Sequence, residues 1–343
     1  MSDLTSSLWL NRAPLVRGFA TGIVVAMRST WSRCMAAGVN PQEPDHVAGI
    51  VLDGTPVFIG VMRALLAPSR LSVSMCAVFC HQSPKVRHGG PPGGVCELGD
   101  LLFAYSHVPL SGQPLRNAIL LQAKSTSHNP HRVGSAEKKQ LALYSSWPQF
   151  EYTSPSALCG QKRLVSPATP HSGAQYLLLD TRHPSRPDSG LSGGFRSFPA
   201  GCAMPSSYLN IHSTLATTLF DLLIFRSGRS FGARGTHVGD WTNTVWDLIE
   251  VALTKAFTRK ATGRVGVSRH AGDQLALDDG STVVAVESNS LLEAVEEAIG
   301  RDRAAHLLGA TDRRKIPPLA SDGIEDDESG ASLVLIETRE VAE

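Results

Sequence analysis

Residues 96–124, CELGDLLFAYSHVPLSGQPLRNAILLQAK, form the stretch whose reading decides the fold. Two apolar and aromatic runs, Leu101 to Val108 and Asn117 to Ala123, are separated by Pro109, Ser111, Gly112 and Pro114, which is the chemistry of strand, turn and strand. With the turn centred near Ser111 and Gly112, antiparallel pairing sets Asp100 across from Gln122, at a Cβ separation of about 5 Å. Gln122 and Lys124 are two apart and share one face of their strand. The hairpin 97–124 is therefore expected to bring an aspartate, a glutamine and a lysine together at one end.

Those residue types have a chemical use. Phosphodiester hydrolysis with a hard divalent cation needs oxygen ligands for the ion and a fixed cation beside the attacking water. Asp100 and the Gln122 carbonyl suit the first task, and Lys124 the second. Glutamine brings no charge, so a second carboxylate is expected from Glu97, three residues before Asp100, or from Glu43, at the start of an earlier helix. Beyond a polar bend, EKKQLALY (Glu137 to Tyr144) predicts a helix over 135–147, capped by Ser135, with Glu137 in its first turn. Gln140 and Tyr144 lie on one face of that helix.

Asp100, a long hairpin and then Gln122-Ala123-Lys124 resemble the motif of the PD-(D/E)xK, or restriction-endonuclease-like, nuclease superfamily. Glutamine in place of the usual second acid resembles its Mrr-like branches, and Gln140 to Tyr144 resembles the QxxxY helix of its RecB-type members. The resemblance runs over about residues 43 to 152. It implies an α/β fold with a mixed central sheet flanked by helices. It implies a metal-dependent nuclease with catalytic residues Asp100, Gln122, Lys124 and Gln140. Mg²⁺ or Mn²⁺ would be held by Asp100 and Gln122, with Glu97 or Glu43, and DNA is a better substrate than RNA. A role in bacterial defence or restriction is the biological expectation. The alternative is an inactive protein of the same fold that serves as an interaction module, with a protein partner or a second copy of itself.

Length and 42% hydrophobic residues allow one large domain or two smaller ones. The division expected is a packing arm over 1–40, a nuclease-like domain over 41–260 and an α/β extension over 261–343. A net charge of +1 excludes a global basic field, so any nucleic-acid surface must be local. Lys124, His128, His131, Arg132, Lys138, Lys139, Lys162 and Arg163, against Glu137 and Glu151, make such a local face. Six cysteines without a secretory signal suggest reduced thiols in a cytoplasm, and no apolar run looks long enough to span a membrane. A zinc site among Cys76, Cys80, His81, His88 and Cys96 is disfavoured, because Cys76 and Cys80 on one strand stand roughly 13 Å apart.

Leu71 to Cys80 alternates with period two and reads as a strand, and Gln175 to Asp180 as a buried one. Glu43 to Val51 and Thr55 to Leu65 read as two helices divided at Gly54. A long loop is expected over 181–207, then a helix followed by a short strand over Tyr208 to Phe225 with His212 at a core edge. Asp240 to Arg259 is the clearest helix. Beyond it a strand at 282–287, a helix from Leu291 to Leu308, an acidic linker from Gly323 to Gly330 and a last strand from Ala331 to Glu337 are expected.

Overall fold

A computed structural model describes residues 2–80, 84–110, 112–193, 196–235, 240–262 and 330–342. The expected hairpin is present, and it sits in the middle of an eight-stranded sheet. In chain order the strands of that sheet are β1 (Leu71–Val78), β2 (Leu101–Val108), β3 (Leu115–Thr126), β4 (Ala174–Asp180), β5 (Ala200–Ala203), β6 (Ile211–Thr214), β7 (Arg229–Ser230) and β8 (Ser332–Glu340). Their spatial order is β1-β8-β2-β3-β4-β5-β6, with β7 paired to β3. β2 and β3 are antiparallel with Leu101 opposite Leu121, while β8 runs parallel to β2 and β4 parallel to β3. The fold is thus α/β with a mixed central sheet flanked by helices, as the sequence led us to expect.

The strands read as unbroken apolar runs because both faces of the sheet are covered. Leu101, Phe103, Ile119, Leu121 and Ala123 pack on one side with α1 (Ser2–Leu10), α2 (Arg12–Ala36), α3 (Glu43–Gly49), α4 (Thr55–Leu66) and α6 (Leu215–Leu223). Leu102, Ala104, Ala118, Leu120, Tyr176 and Leu178 pack on the other with α5 (Lys138–Ser146) and α7 (Trp241–Thr262). Each helix layer covers alternate residues of the same strands.

Several expectations are corrected by this arrangement. The C-terminal strand does not belong to a separate extension: β8 fills the gap between β1 and β2, antiparallel to one and parallel to the other. The N-terminal 40 residues pack against the body, with Leu15, Phe19, Ile23 and Met27 buried in the shared core. Pro14 and the glycines leave α2 unbroken; a Cβ at Gly22 would stand 2.5 Å from the Phe58 ring, so glycine there permits close helix contact. Gly54 ends nothing either: a π turn over Ile50–Gly54 joins α3 to α4. The resulting helical run, Glu43–Ser69, is by length and composition apolar enough to cross a membrane, contrary to expectation.

The stretch expected as one long loop contains a small hairpin, Leu191–Gly193 with Arg196–Phe198, and then β5. Over Tyr208 to Phe225 the order is the reverse of that expected, with β6 preceding α6, and His212 is exposed on the strand. The elements expected at 282–287 and 291–308 and the linker over 323–329 lie outside the described residues, as does His81.

Candidate functional site

The site lies at the end of the sheet where β3 and β4 finish and β2 begins. Asp100 is the residue before β2, and its backbone is held on both sides: its N–H donates to Leu121 O at 2.9 Å, and its carbonyl accepts from Ser332 N at 2.8 Å. The C-terminal strand therefore helps to place the aspartate. Its Oδ2 accepts from the Ala123 backbone N–H at 2.7 Å, across the hairpin. Gly99 permits this approach, because a Cβ there would lie 2.7 Å from the Leu120 side chain.

β3 continues through Thr126, so Lys124 lies inside the strand. Lys124 Nζ stands 3.7 Å from Glu43 Oε1 and 3.6 Å from Glu137 Oε1. Glu43 comes from the first residue of α3, in the helix layer on one side, where the helix dipole favours an anion. Its other oxygen accepts from Ser125 N at 3.0 Å. Glu137 comes from the opposite layer, immediately before α5. Its Oε2 accepts from Gly134 N at 2.6 Å and lies 3.7 Å from His131 Nε2.

Gln122 is fully buried, and both ends of its amide are engaged. Its Nε2 donates to Glu97 Oε2 at 3.3 Å, and its Oε1 accepts from Gln140 Nε2. Gln140 also donates to the Glu97 carbonyl at 3.1 Å, and Tyr144 donates to the Leu98 carbonyl at 2.7 Å. The Gln140/Tyr144 face of α5 thus fastens the segment that carries Glu97 and leads to Asp100. Gln122 thus links Glu97 to Gln140, and its carbonyl, the oxygen expected to face an ion, accepts from Gln140.

Burial alone would pull the Lys124 ammonium down, but Glu43, Asp100, Glu137 and Glu97, in that order of influence, hold it above the ordinary lysine value. Burial pushes the Glu43 carboxyl up; Lys124 and the Ser125 N–H oppose this, Glu97 and Glu137 reinforce it, and the net direction is upward. Four carboxylates around one ammonium leave an excess of negative charge in a partly dry cleft, the electrostatic setting that favours a divalent cation. Among the described residues no three Asp, Glu, His or Cys side chains converge as a ready-made metal cage. Mg²⁺ does not require one, since it is commonly bound through one or two carboxylates, water and substrate phosphate. Asp100 and Glu97 each place a carboxylate near enough to influence Lys124, with Glu43 in contact with the ammonium.

All the candidate residues, Glu43, Glu97, Asp100, Gln122, Lys124 and Gln140, are brought to one place. The sequence reading gave Glu137 only a helix-dipole role and counted His131 only as a basic residue. The signal for Glu137 was its i, i+3 spacing to Gln140, which puts both on one helix face. Two expectations fail here. Ser135 does not cap α5 with its side chain; the helix begins at Lys138. The expected basic face is largely compensated, with Lys124 and His131 beside Glu137, Lys162 beside Glu151 and Arg163 paired to Asp247, which leaves Arg132, Lys138 and Lys139 exposed around the start of α5. The five cysteines Cys34, Cys76, Cys80, Cys96 and Cys202 are at least partly buried free thiols, and Cys159 is exposed. Comparison with protein-family models, with curated proteins and with solved structures returns no match.

Proposed function

We propose that this chain is a metal-dependent phosphodiesterase, a nuclease of restriction-endonuclease-like type acting on DNA. The observation that carries the reading is the placement of Lys124 among Glu43, Glu97, Asp100 and Glu137 at the open end of the hairpin, with Gln122 and Gln140 locked behind it. Asp100 and Glu97 would hold Mg²⁺ or Mn²⁺, with Glu43 nearby. The ion, when bound, would polarise a phosphoryl oxygen and acidify water. Lys124, fixed between two carboxylates, orients the attacking water and offsets charge developing on phosphorus. Exposed Arg132, Lys138 and Lys139 give a phosphate backbone somewhere to rest. The preference for DNA over RNA, and a place in bacterial defence, rest on the motif resemblance alone.

One observation favours the second reading, an inactive interaction module. The Gln122 carbonyl, the oxygen meant to replace a carboxylate ligand, is already taken by Gln140.

A cleavage assay on supercoiled, linear and single-stranded DNA and on RNA, with Mg²⁺ or Mn²⁺, tests the first reading. Asp100→Asn and Lys124→Gln, checked for folding by circular dichroism, should each lose activity by at least about 100-fold, as expected for removal of a group that acts on the transition state. Cutting that persists in both variants refutes this site as the catalytic centre, and no cutting by the wild type on any substrate favours the module.

A further inference from the structure

The rim of the site carries a second pair that the metal reading leaves unused. His131 lies in a short strand, His131–Arg132, paired with Tyr208–Leu209, and follows the tight turn that ends β3. That turn is fixed by reciprocal bonds between Thr126 Oγ1 and the His128 backbone, and by Asn129, whose side chain binds Ser192 O at 2.6 Å and Ile211 N at 3.1 Å. The imidazole is thus presented by a rigid support. Its Nε2 is buried and faces Glu137 Oε2 at 3.7 Å, while the other Glu137 oxygen faces Lys124. The side chain as a whole is 21% exposed, so the ring is backed by a carboxylate while part of it reaches the surface.

A further polar atom on this side of the sheet is buried and has no hydrogen-bond partner: the Tyr176 hydroxyl, on a fully buried side chain that neighbours Gln122 across the β3/β4 ladder and feels the Glu137 charge. Buried donors without acceptors cost free energy, and functional sites are where such costs are tolerated. Phosphate oxygens are the acceptors that hydroxyl, imidazole and ammonium groups share.

We propose that His131, oriented by Glu137, is the general acid that protonates the leaving oxygen in phosphodiester hydrolysis; this rests on the phosphodiesterase reading above. With Nε2 turned to Glu137, Nδ1 carries the transferable proton. Water oxygen forms a bond to phosphorus, and the bond from phosphorus to the leaving sugar oxygen breaks with its electron pair staying on that oxygen. The proton of His131 moves to the leaving oxygen; the proton lost by the attacking water goes to solvent, from which His131 is recharged. The substrate class implied is a diester with an unactivated alcohol as leaving group.

Leaving-group dependence tests this directly. Wild type, His131→Ala and Glu137→Gln are compared on DNA and on thymidine 5′-(p-nitrophenyl phosphate), whose nitrophenolate departs without a proton. His131→Ala should slow DNA cleavage by about 100-fold or more, while changing nitrophenyl release by less than about 3-fold. Added imidazole should restore part of the DNA activity. Glu137→Gln should slow both substrates, because Glu137 also holds Lys124, with the larger loss on DNA. Equal losses on both substrates, or no loss on either, overturn the assignment of His131 while leaving the nuclease standing. A wild type that cleaves neither substrate overturns the phosphodiesterase reading and the assignment with it.

Discussion

Replacing Lys124 by methionine keeps the length of the side chain and removes its charge. Nζ lies 3.7 Å from Glu43 and 3.6 Å from Glu137, in a side chain only 14% exposed. At an effective dielectric constant of ~20, each contact carries roughly 4.5 kcal/mol of Coulomb attraction, much of it offset by desolvation of the three groups. Leaving the carboxylates without their ammonium should cost about 3 kcal/mol of stability at neutral pH, the scale seen when one partner of a buried pair is removed. The cost must depend on pH. Glu43 already stands above the ordinary carboxyl value, and loss of Lys124 raises it further. A carboxyl with a folded pKa above its unfolded one weakens the fold at higher pH, and that penalty is relieved as pH falls through the folded value. Lys124 itself is raised, so its contribution is complete below its unfolded value of about 10.4 and disappears as pH rises through the folded one. The stability difference between wild type and Lys124→Met should therefore be greatest between about pH 7 and pH 10 and shrink on either side. Urea denaturation across that range measures it. Glu43→Gln added to Lys124→Met should restore a good part of the loss, a coupling that a double-mutant cycle isolates. A difference that is flat with pH, or strictly additive effects of the two substitutions, would refute the electrostatic account of this cleft.

Gln122→Glu restores the usual acid of the motif but sets a second carboxylate against Glu97, where the amide now donates at 3.3 Å. In chelator it should lose roughly 2 to 4 kcal/mol of stability, and Mg²⁺ should return more stability to it than to the wild type; denaturation in chelator and in Mg²⁺ decides, and an unchanged midpoint in chelator would contradict the geometry. Deleting residues 331–343 removes β8, leaves the facing edges of β1 and β2 unpaired and frees the Asp100 carbonyl. The truncated chain should lose cooperative thermal unfolding, and a soluble product with an unaltered melting midpoint would show that β8 is dispensable.

The sequence by itself determined the hairpin, its register and the meeting of Asp100 with Gln122 and Lys124. Those follow from short-range physics: apolar runs of the right length, Pro and Gly in the turn, and side chains alternating every two residues. The Gln140/Tyr144 face of α5 was legible for the same reason, through helical spacing. Other features had no local signature. That β8 slots between β1 and β2 was decided by two apolar edges meeting across the chain: Ser332 Oγ bonds the backbone of Cys80, 252 positions away. The continuity of α2 and of the run from Glu43 to Ser69 was hidden because glycine and proline usually break helices, while here close packing gave them a use. The roles of Gln122 and Glu137 were likewise set in three dimensions. Whether an amide oxygen is free for a metal, or a helix-end carboxylate reaches a lysine on a strand, depends on which layer packs over which sheet end, and only the tertiary structure decides that.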